Sequence, residues 1–219
     1  MLQPSTLQFL RRIARNNNRE WFHSNKLLYE AAKDDFERFV SNIITAIGKF
    51  DKSVIGLKAK DCTFRIYRDV RFSKNKDPYK INFGAYMTAG GKKSMKPGYY
   101  IHVQPDGQSF LAGGAYMPSS PVLQAIRQEI DYNLKEFEGI LKSKSFKKYF
   151  KKLEGDSVKT TPKGYAKDHP AIGYLKHRDF LAVHNIPDAQ LLSKKVVTHI
   201  AKAFEAMKPF NTFLARAYE

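Results

Sequence analysis

Arginine donates from a planar fork that matches phosphate and carboxylate, and Arg65, Arg68 and Arg71 stand within seven residues of one another. The surrounding segment, RIYRDVRFSKNKDPYK at 65–80, adds Lys74, Lys76, Tyr79 and Lys80, with Asp69 among the arginines. Residues 61–80 hold six basic side chains against the acids Asp61, Asp69 and Asp77, so local pairing leaves positive charge for an external anion. If the forks converge, they clamp a phosphate or carboxylate. Strict strand alternation sends Arg68 to the face opposite Arg65 and Arg71, so convergence requires the chain to leave the strand near Tyr67. The competing reading is structural: Asp69 and other acids neutralise the arginines and pin the Lys74–Pro78 loop.

Proton chemistry has four candidates. Asp69 orients the arginines or acts in proton transfer. Glu20, in the run Asn17-Asn18-Arg19-Glu20-Trp21-Phe22, is one of few carboxylates available as a general base. The same run also reads as a helix start, with Asn18 as cap, Glu20 favouring the dipole, and Trp21 and Phe22 anchored in the core. His169, in Asp168-His169-Pro170, pairs an imidazole with an acid or belongs to a cap before a first-turn proline. His102 falls among tyrosines and an arginine, where Tyr100 bounds a pocket. Other templates fail: Gly90-Gly91-Lys92-Lys93-Ser94 lacks the first glycine of a phosphate loop and reads as a basic hairpin tip. No metal-binding motif is present, and no cofactor is implied.

These side chains need a scaffold, and the hydrophobic pattern supplies one. Ser5 or Thr6 caps a first helix with Leu7, Leu10, Ile13 and Ala14 at helical spacing, ended by Asn16-Asn17-Asn18. A long, kinked helical stretch then runs from Arg19 to about Phe50, with Leu28, Ala31, Phe36, Phe39, Val40, Ile43, Ile44 and Ile47 on an apolar stripe. Period-two alternation predicts strands near 61–67, 79–88, 98–104 and 108–113, with turns at Gly90-Gly91 and Pro105-Asp106-Gly107. Cys62, Phe64, Ile66, Tyr79, Ile81, Phe83, Ala85, Met87, Tyr99, Ile101 and Val103 form the core face. The opposite face carries Arg65, Tyr67, Lys80, Asn82, Tyr86, Tyr100, His102 and Gln104. It is poor in carboxylates and rich in hydrogen-bonding rings, which fits a concave or covered site.

Ser119 or Ser120 caps a helix carrying Pro121, Val122, Ile126 and Ile130. Residues 135–167 hold ten lysines against Glu136, Glu138, Glu154 and Asp156. A short helix through Leu175, a strand at Phe180–Val183 and a helix from Ala189 to Met207, interrupted by Pro209, complete the chain. The expectation is a single α+β domain over 1–219, an antiparallel sheet of about four to five strands packed against N-terminal and C-terminal helices.

The 219 residues suffice for a hydrophobic core, and 42% hydrophobic with 27% charged residues exclude disordered, collagen-like and membrane-spanning classes. Lys and Arg number 38 against 21 acids, a net charge of +17, which favours anionic partners. The single Cys62 excludes a disulfide framework within the chain and suits a reducing compartment. No secretory signal is read at the N-terminus, so a cytoplasmic protein is expected.

The motif RxxRDxRF followed by xx[DN]KxxY is matched by Arg65, Arg68, Asp69, Arg71, Phe72, Asn75, Lys76 and Tyr79. Through it the chain resembles a bacterial family called domain of unknown function 2461. NNREWF at 17–22, FGAY at 83–86, the GGKKS, GYY and KDHPA stretches, and KPFN at 208–211 extend the likeness. The resemblance implies a common site without naming its ligand. From the residues, the leading expectation is a phosphorylated or carboxylated small molecule bound by Arg65, Arg68, Arg71, Lys76, Tyr79, Lys80 and Tyr100. Two alternatives are a nucleic acid on the basic and aromatic sheet face, and an acidic protein partner at the lysine-rich 135–167 region.

Overall fold

Pro4 opens the first helix, where its fixed φ and missing N–H suit a first-turn position. In the computed structural model, which describes residues 1–219, ten α-helices and five strands follow in order. They are α1 (Pro4–Arg15), α2 (Arg19–Ser24), α3 (Lys26–Ile47), α4 (Ala59–Cys62), β1 (Phe83–Met87), β2 (Gly98–Val103), β3 (Ser109–Ala115), α5 (Ser120–Tyr132), α6 (Leu134–Lys142), α7 (Lys144–Tyr149), β4 (Leu153–Glu154), α8 (Ile172–Leu175), β5 (Phe180–Ile186), α9 (Asp188–Leu191) and α10 (Val196–Ala215). The antiparallel sheet has the order β1-β2-β3-β5-β4 and is flanked by helices, so the chain is α+β as expected. No helix is long and apolar enough to cross a membrane. The chain divides into two compact units, Met1–Lys92 with Tyr100–Leu111 and Asn185–Ala201, and Lys93–Tyr99 with Ala112–His184 and Lys202–Glu219.

In the first unit, α1 and α3 bury Leu7, Phe9, Leu10, Ile13, Phe36, Phe39, Val40, Ile43 and Ile47. Phe83 of β1 stacks on Phe36 at 5.2 Å and on Phe9 at 6.2 Å, which joins the strand to both helices. The start of α1 is capped from outside. Asp35 of α3 accepts from the Gln3 N–H at 2.9 Å and from the Thr6 hydroxyl at 2.6 Å, so neither Ser5 nor Thr6 serves as the N-cap. Asn18 caps α2 through the Trp21 N–H, as its position predicts. Ala14, Leu28 and Ala31 are exposed, and the α3 stripe begins only at Ala32.

Of the expected strands, one is absent and one is shorter than alternation implies. Residues 61–67 do not form a strand: Asp61 and Cys62 close α4, and single bridges join Thr63 to Ala85 and Tyr67 to Tyr79. The strand expected over 79–88 is continuous only at β1, because Tyr79 pairs with Tyr67 and the chain bends at Ile81 and Asn82. Phe64 and Ile81 therefore leave the core face, each 38% exposed, while Cys62, Ile66 and Tyr79 stay buried. Between β2 and β3, Asp106 and Gly107 have φ of 65° and 74°, as a two-residue primed turn requires. Asp188 accepts from both of their N–H groups, at 3.0 and 3.1 Å, and pairs with Arg11 at 2.7 Å, which locks the turn.

The second unit packs on phenylalanines. Phe137 meets Phe213 at 5.1 Å, Phe146 meets Phe210 at 5.7 Å, and Tyr99 meets Phe204 at 5.1 Å. Pro209 does not interrupt α10, which runs on to Ala215. Pro209 is exposed while Phe210, Phe213 and Leu214 are buried, so packing holds the helix past the lost hydrogen bond. All ten lysines of 135–167 are exposed, and the two-residue β4, too short for an alternation signal, lies among them.

Candidate functional site

The arginine-rich segment folds as a hairpin. The Arg68 N–H donates to the Pro78 carbonyl at 2.9 Å and the Lys80 N–H to the Ile66 carbonyl at 2.7 Å, around the Tyr67–Tyr79 bridge. Residues 69–77 form the loop beyond. Its base is held by Asn17, whose amide donates to the Tyr79 carbonyl at 2.9 Å and accepts from the Tyr79 N–H at 3.1 Å. Phe22 stacks on the Tyr79 ring at 4.1 Å. The two unusual runs in the sequence are thus one device, in which Asn17 and Phe22 pin the foot of the arginine hairpin. Tyr79 is buried, and burial raises its phenol above the ordinary value, so its ring belongs to that foot. Glu20 stands exposed in the first turn of α2, with no hydrogen bond to the other candidates.

The three arginines part company. Arg68 donates to the Asp77 carbonyl and the Ser73 hydroxyl, both at 3.3 Å. Arg71 forms a two-pronged pair with Asp69 at 3.0 and 2.7 Å, and this pairing lowers the Asp69 carboxyl below its ordinary value. Lys76 donates to the Val70 carbonyl at 3.0 Å, and Asn75 and Asp77 exchange hydrogen bonds that set the turn. Arg68, Arg71 and Lys76 therefore order the loop itself. Arg65 is directed elsewhere.

Arg65 lines a groove of about 240 Å³ together with Tyr29, Lys33, Phe36, Glu37, Lys60, Thr63, Phe64, Phe83 and Lys92. Four cations face one carboxylate there. Glu37 is 3.3 Å from Lys33 and accepts from the Thr63 hydroxyl at 3.4 Å, while the Lys92 ammonium donates to the Lys60 carbonyl at 2.8 Å. Lys80 sits over the Phe64 ring at 5.5 Å, and burial together with the Arg65 charge pushes its ammonium below the ordinary value. The floor is aromatic, from Phe36, Phe64 and Phe83. Lys33, Glu37 and Lys60 come from α3 and α4 and carry no local motif. The spacing of four across Tyr29, Lys33 and Glu37 was the available signal, because it puts the three on one helix face.

The outward face of β2 is a hydrogen-bonded chain. Tyr100 lies 3.2 Å from His102 Nδ1, and His102 Nε2 lies 3.0 Å from Gln104 Oε1. With Gln104 accepting, the proton sits on Nε2 and Nδ1 accepts from Tyr100 or from the Asn82 amide at 3.4 Å. Burial lowers the His102 value, which keeps the ring neutral. Phe110 stacks on His102 at 4.6 Å and contacts Tyr100 at 5.9 Å, and Phe64 meets Tyr100 edge-on at 6.3 Å. The rings pack on one another, and Tyr100 and His102 satisfy each other.

The sequence model of a family described as Conserved hypothetical protein (DUF2461) matches residues 5–213. The chain belongs to this family. No curated protein and no solved structure matches it. In this DUF2461 chain the remaining candidate, His169, lies in the second unit. Its Nε2 is 2.9 Å from Asp131, and its Nδ1 accepts from the Ala171 N–H at 3.1 Å. Asp131, 38 residues away, takes the place at the imidazole that the adjacent Asp168 was expected to fill. Both ring nitrogens are engaged, so His169 ties α5 to the turn before α8. No group of three or more His, Cys, Asp or Glu side chains gathers where a metal ion would sit.

Proposed function

We propose that the DUF2461 chain binds a small phosphorylated or carboxylated molecule in the groove beside the foot of the arginine hairpin. The observation that supports this is the imbalance of charge: Lys33, Lys60, Arg65 and Lys92 line the groove against Glu37 alone, with Lys80 beside Phe64. Gathering like charges costs energy unless a counter-charge arrives, and an anion supplies it. Arg65 offers a planar fork and the lysines point charges, a combination suited to phosphate. A volume of about 240 Å³ lies below the range of drug-sized pockets, roughly 300–1,000 Å³, which favours a small metabolite. Arg68 and Arg71 hold the loop and are secondary to this reading, as are Tyr79 and Tyr100. The buried free thiol of Cys62 accords with a cytoplasmic setting.

Isothermal titration with inorganic phosphate, sugar phosphates and dicarboxylates tests the reading. Wild type should take up at least one of these anions, and the double charge reversal Lys60→Glu with Lys92→Glu should abolish uptake while the fold persists. Equal binding by both proteins would refute it.

A further inference from the structure

The hairpin loop carries a feature that the groove does not use. Phe72 is 96% exposed, more than any other large apolar side chain in the chain. It occupies the corner of a turn closed by the Ser73 N–H and the Val70 carbonyl at 3.3 Å, with Arg71 over its ring at 5.9 Å. The backbone that carries the ring is braced. Arg68, Lys76 and the Asn75–Asp77 turn brace the loop, and Asn17 and Phe22 fix its foot. The loop carries Arg71, Lys74 and Lys76, with Arg68 at its base, against Asp69 and Asp77, and Lys74 is exposed.

An exposed aromatic ring on a braced, cation-rich loop is complementary to a flat π-surface tethered to phosphates. We propose that the 69–77 loop docks single-stranded nucleic acid, with an unpaired base stacked on Phe72 and the flanking phosphates met by Lys74 and the neighbouring cations. The hydrogen bonds within the loop lessen the chain entropy lost on binding. A duplex hides its base faces, so stacking selects single strands. An anionic membrane is the less suitable partner: Phe72 is flanked by Arg71, Ser73 and Lys74, and no other residue of 69–77 is an exposed large apolar side chain. The half-buried rings of the sheet face, packed on one another, offer less free surface than Phe72. The proposal stands independently of the groove.

Fluorescence anisotropy with labelled single-stranded DNA and RNA, the matching duplex, and vesicles of phosphatidylcholine and phosphatidylserine tests it. Wild type should bind one or both single strands more tightly than duplex, and binding should weaken as salt rises. Phe72→Ala should weaken single-strand binding at least about fivefold, and Phe72→Trp should restore it. Phe72 makes no core contact, so both variants should melt with wild type. Equal binding by wild type and Phe72→Ala, equal binding of duplex and single strand, or capture by vesicles alone would overturn the proposal.

Discussion

Asn17→Ala removes one side chain and unties the foot of the hairpin. Two hydrogen bonds to the Tyr79 backbone are lost, at 2.9 and 3.1 Å, and both are partly buried. At roughly 1 kcal/mol net each, the loss is about 2 kcal/mol, and more if the Tyr79 N–H and C=O stay shielded from water. In a chain of this size that lowers the melting temperature by roughly 4–8 °C. Asn17→Asp keeps the acceptor but sets a second oxygen against the Tyr79 carbonyl, so it should be no better than alanine. The assay is thermal and urea denaturation alongside timed trypsin digestion, because Arg68, Arg71, Lys74 and Lys76 are cleavage sites in or beside the loop. Faster cleavage at these sites in Asn17→Ala is expected. The reasoning is refuted if Asn17→Ala melts with wild type and its loop is cut no faster.

Acid should destabilise the protein before most carboxylates titrate. His102, His177 and His184 are each held below the ordinary value of 6.5, chiefly by burial. Protons then bind the unfolded state more readily, so stability is full above 6.5 and is lost as pH falls through 6.5 toward the folded values. Urea midpoints measured from about pH 7.5 to pH 5 should fall, and His102→Gln should flatten the slope. Gly114→Ala should cost about 3 kcal/mol or more, read as a lowered urea midpoint or insoluble protein. At Gly114 φ is +115°, and an added Cβ would run into the Phe180 carbonyl and lie 2.9 Å from the Phe210 ring.

Much of the scaffold is legible in the sequence where periodicity and capping agree. Asn18, the β2 alternation, the strand near 108–113 and the Asp106-Gly107 turn are local signals with local outcomes. Alternation misled at 61–67, where Cys62, Phe64 and Ile66 mimic a strand; a four-residue helix and a bend put Phe64 outward instead. Pro209 misled in the other direction, since tertiary packing of Phe210 and Phe213 outweighs one missing hydrogen bond. The arginine cluster drew attention to this hairpin, yet the proposed site collects only Arg65 and Lys80 from it. Lys33, Lys60 and Lys92 arrive from three separate segments, and no spacing rule joins residues that meet only through the fold. Asn17 was similarly hidden, because a clamp on a hairpin 62 residues away leaves no mark beside it.

The groove is tested most directly by a thermal-shift panel of phosphate, sugar phosphates, nucleotides and carboxylate metabolites on wild type beside Arg65→Ala. A ligand at about 100 times its dissociation constant stabilises the fold by about 2.7 kcal/mol, a rise of roughly 5–11 °C here. The account predicts such a rise for a small anion in wild type and its loss in Arg65→Ala, whose own melting temperature without ligand should be no lower than that of wild type. A panel without stabilisation, or the same rise in both proteins, would contradict it.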